Sequence, residues 1–156
     1  MKKILSLFLC LSSSLSASVN SYTVENIAFP DDMPPEVGGL AIDENGYLYA
    51  CLRRGDVVIT KPGKDLKATK WEVFATGLHN PMGMILIKSG HVIVSQMAEL
   101  TEIIDTDQDG KADRYNNLST DFGISGNYHE TNAICPDGNG GYYIALGTAS
   151  HNGPTF

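Results

Sequence analysis

Residues 39–51 read GLAIDENGYLYAC, residues 83–95 read GMILIKSGHVIVS and residues 132–145 read NAICPDGNGGYYIA. Each is a short apolar run, a turn containing glycine and a second apolar run. Such a turn between two such runs is a hairpin signal, because glycine reaches the left-handed backbone that tight turns need. Laid over one another by the turn glycines Gly46, Gly90 and Gly138, the copies stand 44 and 48 residues apart. Repetition at that interval, with strands and no sustained helical spacing, is the pattern of β-propeller blades. A β-sandwich with accidental similarity is the alternative. The reading predicts an all-β chain, a partial β-propeller of about three blades from a six-bladed ring.

The residues around the hairpins extend the same pattern. The turn Arg53-Arg54-Gly55-Asp56 leads into a strand over Val57–Thr60, and Trp71–Ala75 (WEVFA) reads as the outer strand of the first blade. Glu102–Asp105 continues the second blade, and Tyr47–Leu52 and Thr131–Pro136 are strand-like runs. A propeller closes typically with 4–8 blades. Residues 22–156 are therefore expected to be the N-terminal part of a propeller domain truncated at its C-terminus.

The first 17 residues, MKKILSLFLCLSSSLSA, have a different character. Lys2 and Lys3 precede an apolar run over Ile4–Leu11, and small residues follow. That is the pattern of a signal peptide, and the apolar run is much too short for a membrane span of ~20 residues. The chain is expected to be exported, to the periplasm or the medium, with no transmembrane segment after signal removal. The whole chain has a formal net charge of −7. Without residues 1–17 it carries 9 basic against 18 acidic residues, or −9. No basic patch is available to neutralise phosphates, so nucleic-acid binding is excluded as an expectation. Cys10 leaves with the signal, and Cys51 and Cys135 remain. Both sit in apolar strand-like runs, so two small buried thiols are the preferred reading over a disulfide.

Asp105-Thr-Asp107-Gln-Asp109-Gly110-Lys111-Ala-Asp113 matches the first part of a calcium loop of the EF-hand kind. Calcium takes six to eight hard oxygens, and alternate positions of a turning loop point inward. The expected ligands are the carboxylates of Asp105, Asp107, Asp109 and Asp113 and the backbone carbonyl of Lys111, with Gly110 permitting the sharp turn. The twelfth position is Asn116 rather than the bidentate glutamate of an EF-hand. A strand over Leu100–Ile104, not a helix, leads into the loop. A solvated acidic turn is the alternative.

Tyr128-His129-Glu130 runs straight into the third hairpin. A histidine titrates near neutral pH and can act as general base or metal ligand; a histidine that merely hydrogen-bonds a neighbouring loop is the plainer reading. Arg53-Arg54 reads as a solvated turn that could also face an anionic group. His79-Asn80-Pro81 reads as a structural turn. His91 is expected to be exposed, and Met82, Met84 and Met97 to lie in the core. His151-Asn152-Gly153 begins a further loop.

Four stretches carry a family resemblance: PPEVGGLAIDENGYLYACLRRGDV, FATGLHNPMGM, VSQMAELTEIIDTDQDGKADRY and YHETNAICPDGNGGYYIALG. Together the chain resembles the sugar-dehydrogenase-like β-propellers of the glucose/sorbosone dehydrogenase superfamily. It is most similar to the exported propeller domains of Planctomycetes and Verrucomicrobia that are often fused to a C-x-x-C-H haem domain and described as membrane-bound dehydrogenases. In the quinoprotein members, a histidine ahead of a Pro-Asp-Gly hairpin is the catalytic base. It takes the proton of the substrate hydroxyl while hydride passes to pyrroloquinoline quinone. The resemblance places His129, ahead of Pro136-Asp137-Gly138, in that role, with a somewhat shorter spacing. The quinone-holding residues of that family come from later blades. This chain has no C-x-x-C-H, so haem would come only with a fused or partner cytochrome domain.

Three functions follow as expectations. The first is an exported oxidoreductase acting on a sugar or polyol and passing electrons to a quinone or a haem domain. The second is a non-catalytic, calcium-stabilised propeller that binds carbohydrate or protein. The third is a lactonase-like hydrolase, since fold does not fix function.

Overall fold

The computed structural model describes residues 23–122 and 131–147. The signal segment and His129 fall outside them. Ten strands follow in chain order: β1 (Val37–Ile42), β2 (Leu48–Leu52), β3 (Asp56–Thr60), β4 (Glu72–Ala75), β5 (Gly83–Lys88), β6 (His91–Gln96), β7 (Glu99–Ile104), β8 (Arg114–Ser119), β9 (Thr131–Pro136) and β10 (Tyr142–Leu146). The only helical element among the described residues is a 3-10 turn over Leu66–Ala68. Neighbours in sequence are neighbours in space. β1–β2–β3–β4 is one four-stranded antiparallel sheet, β5–β6–β7–β8 is a second, and β9–β10 is a pair.

Strand alternation sorts the side chains onto two faces. Tyr49, Cys51 and Val57 turn toward the second sheet, where they meet Met84, Val92, Val94 and Ile103 in one cluster. Phe74 joins it edge-on to Tyr49, with ring centroids 5.4 Å apart, a geometry worth ~0.5–1.5 kcal/mol beyond area burial. Ala50, Leu52 and Val58 turn the other way and are covered by Phe29, Met33 and Trp71. Trp71 also donates its indole N–H to the Ala28 carbonyl at 2.9 Å, which pins the N-terminal segment to the first sheet.

The two sheets approach closely at their first strands, β1 and β5. A Cβ at Gly38 would stand 2.2 Å from the Pro81 carbonyl oxygen, and one at Gly39 would stand 2.9 Å from the Met84 nitrogen. Glycine is required at both positions by this backbone-to-backbone contact, not by a turn.

The structure shifts the register of the repeat. Asp43 Oδ1 accepts the N–H groups of Asn45 and Tyr47, and Asp137 Oδ1 accepts those of Asn139 and Gly141. Ile42 pairs with Leu48, and Pro136 pairs with Tyr142. The equivalent of Gly46 is therefore Gly140, not Gly138, and the copies stand 44 and 50 residues apart. Gly46, Gly90, Gly138 and Gly140 all have positive φ, so the sequence alone offers two candidates for the third turn.

Other expectations are adjusted. The outer strand of the first sheet is Glu72–Ala75, inside the expected run. The strand expected over 102–105 is β7, Glu99–Ile104. β8 has no counterpart in the sequence reading. Both cysteines are free, and Cys51 is buried as expected, but Cys135 is exposed. Its side of β9 carries no further sheet among the described residues. Met84 is buried, whereas Met82 and Met97 are half-buried. No helix among the described residues is long and apolar enough to cross a membrane.

Candidate functional site

Antiparallel order gives the sheets two ends. One end carries the hairpin turns β1–β2, β5–β6 and β9–β10 and the β7–β8 connection. The other carries the β2–β3 and β6–β7 turns and the crossing from β4 to β5. The acidic loop is the β7–β8 connection, so it stands at the first end. Arg53, Arg54 and His79 stand at the second.

The acidic loop is wound around Asp105. Its Oδ1 accepts the backbone N–H of Gln108 at 2.7 Å and of Asp109 at 3.3 Å, and its Oδ2 accepts that of Gly110 at 2.9 Å. Gln108 and Gly110 have positive φ, which turns the chain back on itself. Asp105, Asp107 and Asp109 each bring a carboxylate oxygen within 4.8 Å of the others. Asp109 Oδ1 accepts the Lys111 N–H at 2.8 Å. Asp113 closes the loop differently, accepting both the N–H and the hydroxyl of Thr106. Those bonds, the hydroxyl's first, hold the Asp113 carboxyl below its ordinary value.

Three clustered carboxylates form an all-oxygen donor set, which suits a hard divalent cation such as calcium. Asp105, Asp107 and Asp109 are the residues brought together. Asp113 is committed to Thr106. The loop is also anchored to its surroundings. Asp105 donates its N–H to the Gly90 carbonyl, Asp113 donates to that of Ile104, and Ala112 donates to that of Phe74 in the first sheet at 2.7 Å.

At the opposite end, a polar network holds the turn that leads into β5. The His79 N–H donates to Gln96 Oε1, Gln96 Nε2 donates to the Thr101 hydroxyl, and that hydroxyl donates to Glu99. Met97 donates its N–H to the His79 carbonyl, and Asn80 has φ 50°. His79-Asn80-Pro81 is thus the structural turn the sequence suggests. Arg53 is exposed, and its Nε donates to Asn80 Oδ1 at 3.1 Å. β8 ends and β9 begins at this same end.

Residues 24–153 match a family described as a domain of unknown function, DUF7133. The chain belongs to this family. No curated protein and no solved structure matches it. In this DUF7133 chain the sequence reading left two polar groupings unseen. One is the Gln96–Thr101–Glu99 network. The other joins Glu102 to His91 and Asn116: Glu102 Oε1 lies 2.8 Å from His91 Nε2, and Oε2 accepts from Asn116 Nδ2 at 2.7 Å. His91 is therefore paired and part-buried, not exposed. The second grouping leaves no local signal, because its members meet only through strand register.

Proposed function

We propose that the three sheets are blades of a six-bladed β-propeller, exported from the cell and working as a sugar or polyol dehydrogenase. The observation that supports the architecture is the stacking of consecutive four-stranded antiparallel meanders with their first strands innermost. The supporting observation for the reactive end is strand direction. β8 leaves and β9 re-enters at the end that carries Arg53, Arg54 and His79, so His129 belongs in sequence to that end's connections. In this reading His129 takes the proton from the substrate hydroxyl. Pyrroloquinoline quinone, when bound, would supply the hydride acceptor. Electrons would leave through a fused or partner haem domain.

The test is a dye-linked dehydrogenase assay on a panel of sugars and polyols, using a protein with the complete ring. His129→Ala is expected to abolish turnover while leaving the thermal midpoint unchanged. Full turnover by the variant overturns the role of His129.

A second reading is favoured by the Asp105–Asp107–Asp109 convergence at the opposite end. There the propeller is calcium-stabilised and binds carbohydrate or protein without chemistry. Carbohydrate binding with no dye reduction on any substrate would select it.

A further inference from the structure

The crossing from the first sheet to the second is anchored on both sides of one exposed histidine. We propose that His79 is a saccharide contact, its imidazole hydrogen-bonding one hydroxyl of a sugar or polyol bound at this end of the sheets. The proposal rests on the reading above that this end takes the sugar or polyol, and it names a residue that recognises it.

The anchoring is main-chain. Leu78 is buried and donates its N–H to the Gly55 carbonyl at 3.0 Å. The His79 N–H donates to Gln96 Oε1, and the His79 carbonyl accepts the Met97 N–H at 2.9 Å. Pro81 is buried, and Met82 donates its N–H to the Ser95 carbonyl at 3.0 Å. Between them Asn80 has φ 50°, a left-handed backbone that a residue with a side chain holds only where its surroundings enforce it. Its Oδ1 accepts from Arg53 Nε. Within this fixed run His79 is exposed, and among the described residues no group bonds its ring. The residues that fix it, from the first sheet and from the second, are all described.

The first sheet shows that the fold does not need a polar support here. By hairpin register Gln96 stands where the first sheet has Leu52. Thr101, opposite Val94, stands where the first sheet has Val58, opposite Ala50. Leu52 and Val58 are both 0% exposed, an apolar pair. Gln96 and Thr101 are 8% and 3% exposed, a polar one. Buried amides and hydroxyls cost stability unless they are bonded. These two bond in series, Gln96 Nε2 donating to the Thr101 hydroxyl while Gln96 Oε1 takes the His79 N–H. What the polar pair adds over the apolar one is a fixed main chain at His79. A satisfied buried network imposes one geometry on what it holds, and a ligand contact is where one geometry matters. A neutral imidazole carries one donor and one acceptor nitrogen, so it bonds a hydroxyl in either sense.

The test titrates the protein with the complete ring with D-glucose, D-galactose, D-mannose and D-sorbitol, read by calorimetry and by imidazole C–H signals in NMR. His79→Phe keeps a ring, loses its nitrogens and assigns the His79 signal. The expected result is a saturable shift of that signal and binding about three- to tenfold weaker in the variant. Trp71 fluorescence reports folding, and His79→Ala replaces His79→Phe if that variant is not folded. Singly deoxygenated forms of the sugar that binds then separate contact from support. One of them is expected to bind wild type and variant alike, because the hydroxyl that His79 holds is gone. Gln96→Leu, which copies the first sheet, is expected to show the same hydroxyl-specific loss without touching the ligand. A loss spread evenly over every deoxy form means that His79 only supports the turn, and overturns the proposal. Equal sugar binding by wild type and His79→Phe also overturns it, and leaves the carbohydrate reading standing. Wild type that binds none of the four overturns that reading and the proposal with it.

Discussion

Asn116 holds Glu102 across β7 and β8. Its side-chain amide donates to one carboxylate oxygen at 2.7 Å, while the other oxygen faces His91 Nε2 at 2.8 Å. Both contacts favour the ionised acid, the amide of Asn116 contributing most and Arg114 adding a weaker attraction, so Glu102 titrates below its ordinary 4.5.

A depressed carboxyl pKa stabilises the fold above the unfolded-state value, and that stability drains as pH falls through the folded value. Asn116→Ala should move the Glu102 titration back toward 4.5. The stability gap between wild type and variant should be steady near neutrality and narrow below about pH 4.5. Carboxyl NMR and melts across that range read both effects. An unmoved Glu102 titration in the variant counts against the assignment.

Calcium should raise the melting midpoint through Asp105, Asp107 and Asp109. At ten times its Kd an ion adds about 1.4 kcal/mol, or roughly 5 °C for a chain of this size. Asp107 makes no backbone contact of the kind Asp105 makes, so Asp107→Asn removes charge and spares the turn. It should cut the calcium shift without lowering the midpoint in chelator. Equal shifts in both proteins would mean that the cation acts elsewhere.

Gly38→Ala should be among the most damaging small substitutions. The added methyl meets the Pro81 carbonyl oxygen, which is backbone and cannot swing aside. A loss of about 2–4 kcal/mol is expected in denaturant titrations. Gly63→Ala, which meets open space, is the control and should be nearly neutral.

Cys51 should resist alkylation in the folded chain. Burial pushes its thiol up to about 12, so almost no thiolate forms near pH 8. Mass spectrometry after a timed iodoacetamide pulse should find Cys51 unmodified until denaturant is added. Rapid modification in native buffer would show that the joint between the first two sheets opens readily.

The hairpins at 39–51 and 83–95 were legible because Gly46 and Gly90 each offer a single left-handed turn between apolar runs. The third turn was not, since Gly138 and Gly140 both adopt positive φ and only the Asp137 bonds decide the register. β8 was hidden because Arg114–Ser119 (RYNNLS) lacks apolar alternation. It is a strand because β7 offers it a free edge. The acidic loop could be read residue by residue up to Asp109, where side chains converge. The diversion of Asp113 to Thr106 could not, because a hydroxyl partner seven residues away has no signature in spacing. Cys135 read as buried because its run is apolar; whether an apolar face is covered depends on a neighbouring sheet, not on the run itself.

The bond from the Ala112 N–H to the Phe74 carbonyl has a bearing on solubility. β4 is the outermost strand of the first sheet, and a bare outer strand invites other chains to add to it in amyloid fashion. Here the loop of the next sheet occupies Phe74, and the Tyr115 hydroxyl accepts the Thr76 N–H close by. The acidic connection thus doubles as a guard rail. Its negative charges stand beside the margin most exposed to strand addition and turn away the chains that would stack there.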